Sequence, residues 1–103
     1  MSRVKITVLK KCFFEDLAEQ YLTGGKEVGM CDYFEEGDSF IYEGGAVMPG
    51  GFCPWAWIDA YRKVSSLSAG ATNTPWNKYD GQYTTCCTDG IRPVTFLLER
   101  LDT

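Results

Sequence analysis

The sequence predicts a single α+β domain spanning residues 1–103, a mainly antiparallel sheet of about five strands with two helices packed on one face. Three observations lead there. Val4, Ile6 and Val8 alternate with Lys5 and Thr7, the period of a half-buried strand. Trp57, Ala60, Tyr61, Val64 and Leu67 recur at helical spacing. Near the end, Gln82 to Cys87 and Pro93 to Leu101 flank Thr88-Asp89-Gly90-Ile91, a hairpin with an Asp-Gly turn.

Taken in order, Lys10 and Lys11 end the first strand, and Phe14, Leu17, Tyr21 and Leu22 then mark one face of a short helix. Gly24-Gly25 stops it. Residues 27–43 read as a hairpin, with Val28 to Phe34 and Ser39 to Tyr42 on either side of Glu35-Glu36-Gly37-Asp38. Glu43 to Gly51 holds four glycines and a proline in nine residues, so it is a loop. The main helix follows, with Cys53 at the capping position, Pro54 where a missing N–H costs nothing, and Gly70 beyond its end. Ala71 to Gly81 is a polar loop broken by Pro75 and Trp76.

Composition narrows the function. Fifteen aromatic residues make a packed core available to so short a chain. A net charge of −4 without long runs of either sign disfavours nucleic acid and anionic membranes as partners. No apolar stretch reaches the length of a membrane span. Five cysteines without an export signal imply a cytoplasmic protein with reduced thiols. Histidine is absent, which excludes serine–histidine and cysteine–histidine catalysis.

Three constellations remain. In Cys53-Pro54-Trp55-Ala56-Trp57 a thiol stands at a helix N-terminus, where the dipole can stabilise a thiolate. Trp55 lies off the apolar stripe and needs a second surface to cover it. The competing account makes Cys53 a small packing residue and both tryptophans core. In Cys86-Cys87-Thr88-Asp89-Gly90-Ile91-Arg92-Pro93 the paired cysteines point to opposite faces of a strand, so only one can face a given pocket. Arg92 suits a carboxylate or phosphate, although Asp89 and Arg92 also suit a plain turn and a surface ion pair. Finally, Cys31, Cys53, Cys86 and Cys87 could hold zinc or an iron–sulfur cluster if they converge, but no Cys-x-x-Cys pair supports this.

Gly51-Phe52-Cys53-Pro54-Trp55-Ala56-Trp57 and Cys86-Cys87-Thr88-Asp89-Gly90-Ile91-Arg92-Pro93-Val94, with Phe34-Glu35-Glu36-Gly37-Asp38-Ser39-Phe40 in support, give the chain a resemblance over nearly its whole length. It resembles a family of small, largely uncharacterised bacterial and archaeal proteins, some described as repeat proteins. The resemblance implies one domain type for these segments and transfers no catalytic role.

Three functions therefore compete. The leading one is a small-molecule site lined by Trp55, Trp57 and Trp76 and oriented by Asp89 and Arg92, with Cys53 as nucleophile or redox thiol. The second is a thiolate metal or cluster site. The third is a non-catalytic module, a homo-oligomer burying Trp55 and Trp76 between subunits. The sequence names no cofactor, substrate or reaction.

Overall fold

The computed structural model describes residues 1–102 and shows an α+β fold built on an open antiparallel sheet. Its strands are β1 (Val4–Lys11), β2 (Ser39–Tyr42), β3 (Gln82–Cys86) and β4 (Val94–Arg100), in the order β2-β1-β4-β3. The first and last strands pair at the centre, with Ile6 opposite Leu98 and Val8 opposite Phe96. Their even-numbered side chains point to one face and form the core with Val64, Leu67 and the aromatic residues Phe34 and Phe52. A bulge between Val8 and Lys10 shifts the β1–β4 register, so that Lys10 pairs with Thr95 and Lys11 with Val94.

Helix α2 (Pro54–Ser68) covers that face. Cys53 caps it with extended backbone (φ −75°, ψ 123°), and its carbonyl accepts the first helical bond from Trp57 N at 2.9 Å. Ala56 and Ala60 are buried, and these short side chains let the helix lie close to the sheet. The helix ends where Gly70 takes a φ of 103°, which a side chain would strain. Gly70 N then bonds to Leu67 O at 3.1 Å and Ala71 N to Ser66 O at 3.0 Å, the paired bonds of a Schellman end.

Two expectations need correction. The sheet has four strands rather than five, because Val28 to Phe34 is not a strand. A 3₁₀ turn at Gly25–Val28 leads into Gly29 at φ 71°, outside the extended region, and Val28, Met30 and Tyr33 stay exposed while Phe34 alone plugs the core. β2 accordingly pairs with β1 instead of closing a hairpin. The second correction concerns α1 (Glu15–Tyr21), which packs chiefly on the 3₁₀ turn and not on the sheet. Only Ala18 is buried in it, and seven residues are too few to carry a broad apolar face. Among the described residues no helix is long and apolar enough to cross a membrane.

Candidate functional site

Three separate stretches of chain meet at the N-terminal end of α2. Cys31 and Phe34 come from the irregular segment, Cys53, Trp55 and Ala56 from the start of the helix, and Cys87, Thr88, Asp89, Arg92 and Val94 from the β3–β4 connection and the first residue of β4; together they line a cavity of about 280 Å³. Most of its wall is apolar side chain or sulfur, with Asp89, Arg92 and the Thr88 hydroxyl as the polar exceptions.

Each stretch is fixed by identifiable bonds. Beyond the bulge, β1 continues to donate across the sheet, from Cys12 N to Pro93 O and from Phe14 N to Ile91 O, both at 2.9 Å. These bonds hold the segment that carries Arg92. The irregular segment is pinned by Tyr33 Oη, which donates to Phe52 O at 3.1 Å, and by Lys11 Nζ, which donates to Cys31 O at 3.0 Å. Phe34 packs against Phe52 with tilted rings whose centroids are 5.3 Å apart. The residues just after Cys31 are thereby joined to the one just before Cys53.

Asp89 organises the turn. Its Oδ1 accepts bonds from Ile91 N and Arg92 N, each at 2.9 Å, and its Oδ2 accepts from Arg92 Nε at 3.0 Å. Because only Nε is used, both Nη groups of Arg92 remain without an acceptor among the described residues. The hydrogen bond with Asp89 holds the guanidinium above its ordinary pKa against the opposing effect of burial, and the charges of Asp89, Cys31 and Asp32 add to it. Burial pushes the Asp89 carboxyl up, but the N–H groups of Arg92 and Ile91 and the guanidinium outweigh it, so the carboxyl is held below its ordinary value.

A carboxyl depressed on folding contributes stability above its unfolded pKa, and that contribution is lost as pH falls through the folded value. Acidification is therefore expected to shift the amide resonances of Ile91 and Arg92 together, with a midpoint below that of an unperturbed aspartate. A midpoint at or above the ordinary value would contradict this arrangement.

Of the site residues expected from sequence, Cys53, Trp55, Asp89 and Arg92 all line the cavity. Trp57 and Trp76 do not. Trp57 packs into the core against Tyr42, Phe52 and Tyr61, with ring centroids 5.3 to 6.1 Å away. Trp76 stands 85 % exposed in the loop before β3. Trp55, 70 % exposed, forms the rim of the cavity. Of the four cysteines suggested as metal ligands, Cys31, Cys53 and Cys87 line the cavity, whereas Cys86 is exposed and outside it. No group of three or more Cys, Asp or Glu among the described residues is arranged to hold a metal ion. Phe34, Thr88 and the electrostatic role of Asp32 were not anticipated; they sit in irregular backbone, where no periodicity reports which way a side chain points.

Fold and site together define a small α+β protein with a thiol-lined cavity at the start of its principal helix. No protein-family model, curated protein or solved structure matches the chain.

Proposed function

We propose that the protein binds a small organic anion in this cavity and that the thiols of the wall equip the same site for thiol-dependent chemistry. The observation that carries the reading is Arg92. Asp89 takes its Nε and two nearby amides, which leaves the two Nη groups to receive a carboxylate or phosphate in the forked geometry that suits them. The exposed ring of Trp55 offers apolar surface for the body of such a ligand, over a floor closed by the buried Phe34 and Val94.

Calorimetric titration with benzoate and phenyl phosphate tests this. Arg92→Ala should weaken binding about tenfold or more, equivalent to roughly 1.4 kcal/mol. Arg92→Lys should recover only part, because a point charge cannot reproduce the fork. Absence of binding by either probe, or binding indifferent to Arg92→Ala, rejects the reading.

A second reading rests on Trp55 and Ile58, both exposed and one helical turn apart on α2. Self-association through this pair would make the protein a homo-oligomeric interaction module. Concentration-dependent sedimentation, abolished in Trp55→Ala, distinguishes it from ligand binding.

A further inference from the structure

We propose that Cys53 and Cys31 form a dithiol that reduces organic hydroperoxides within the cavity, with Cys53 taking the oxygen and Cys31 resolving it as a disulfide. This rests on reading the cavity as a ligand site, and it names both the substrate class and the thiols that react.

The five cysteines sort themselves by position. Cys86 is exposed outside the cavity, and Cys12 lines a separate open groove beside α1. Cys87 lines the cavity, but its Sγ accepts the Val94 N–H at 3.3 Å and lies 4.0 Å from Arg92 O, so it is engaged in closing the β3–β4 connection. Cys31 and Cys53 are left, each partly buried at the cavity and neither with a hydrogen-bond partner for its sulfur among the described residues. The Tyr33–Phe52 bond and the Phe34–Phe52 contact join the segments that carry them. Cys31 and Arg92 line the same cavity.

Thiolate is the reacting form of cysteine. The charges at hand are the positive end of the fifteen-residue helix α2, which begins immediately after Cys53, and the Arg92 guanidinium, which lines the same cavity. In the first step the Cys53 sulfur attacks the terminal oxygen of the hydroperoxide; the S–O bond forms and the O–O bond breaks. The departing alkoxide takes up the proton released by the thiol and leaves as an alcohol, with the Nη groups of Arg92 facing its developing charge. In the second step the Cys31 sulfur attacks Cys53; the S–S bond forms, the S–O bond breaks, and hydroxide leaves with the Cys31 proton as water. The two thiols supply both electrons. An external dithiol returns the disulfide to the reduced state by exchange. The apolar ring of Trp55 at the cavity favours a hydroperoxide with an organic body over hydrogen peroxide.

The test treats the full chain, reduced without oxygen, with one equivalent of cumene hydroperoxide and maps its peptides by mass spectrometry under non-reducing conditions. A Cys31–Cys53 linkage is expected, formed more slowly with hydrogen peroxide. In Cys31→Ser, dimedone should trap a sulfenic acid on Cys53, formed about tenfold or more faster than on exposed Cys86 and slowed by adding Arg92→Ala. Oxidation of Cys53 no faster than Cys86, linkage of any other pair, or the same pattern in guanidinium-unfolded chain overturns the proposal. Benzoate titration of the same preparation separates the two readings. Benzoate binding without the linkage rejects the dithiol alone, and linkage without benzoate binding rejects the anion site alone.

Discussion

Phe34→Ala is expected to remove about 3 to 5 kcal/mol of stability, much of what a domain of this size has. Phe34 is 2 % exposed, and its ring meets Tyr33, Phe40, Phe52 and Phe96 at centroid distances of 5.0 to 5.7 Å. Gly37 and Asp38 are tied to β1 by backbone bonds with Val8, but residues 29–35 belong to no strand, so burial of Phe34, with the Tyr33 and Lys11 bonds, holds them over the core and sets one wall of the cavity. Guanidinium titration should show a lower midpoint at an unchanged slope, with a smaller loss in Phe34→Leu. A loss below about 1 kcal/mol would mean that the segment is anchored by other contacts.

Arg100→Ala should cost about 3 kcal/mol, since it removes charge-assisted bonds to two carbonyls from a nearly buried position. The Arg100 side chain is 9 % exposed; its Nη1 donates to Leu67 O at 3.0 Å and to Ala71 O at 2.9 Å, and its Nη2 reaches Asp80 at 3.4 Å. One cation thus ties the C-terminal end of α2 and the following loop to β4, where positive charge also suits the helix dipole. Asp80 is exposed, so Asp80→Ala should have a much smaller effect in the same thermal melts. Equal losses in the two variants would transfer the role from the carbonyl bonds to the ion pair.

The parts of the fold legible in the sequence are those with an unambiguous period. Val4, Ile6 and Val8 declared β1, the Cys53-Pro54 start and Gly70 end bounded α2, and the Asp-Gly turn lay between β3 and β4. Val28 to Phe34 misled because its apolar and aromatic composition suits a strand, while its conformation is set by tertiary contacts, the seating of Phe34 and the bonds of Tyr33 to Phe52 and Lys11 to Cys31. Propensity is silent on such contacts. For α1 the spacing of Leu17 and Tyr21 was correct for a helix, but spacing does not say whether a surface is waiting to receive it.

The site was legible to a similar depth. The capping position gave Cys53, strand alternation separated Cys86 from Cys87, and the Asp-Gly turn gave Asp89 and Arg92, all consistent with where those residues stand. The tryptophans show the limit. Their bulk implied burial or contact, yet only packing could decide that Trp57 joins Tyr42 and Phe52 inside while Trp76 stays in solvent.

The bulge in β1 resolves a question of parity. Inward positions run through Val4, Ile6 and Val8, so strict alternation would next send Lys10 into the layer that Phe96 and Val94 fill. Leu9 spends one residue without advancing the pairing, and the count resets: Lys10 joins Thr95 on the open side, and Lys11 takes the inward place one step later, opposite Val94 at the edge of the core. There its ammonium finds the Cys31 carbonyl instead of hydrocarbon. An irregularity of a single residue thus converts a lysine that would have opposed the core into one that fastens the wall of the cavity.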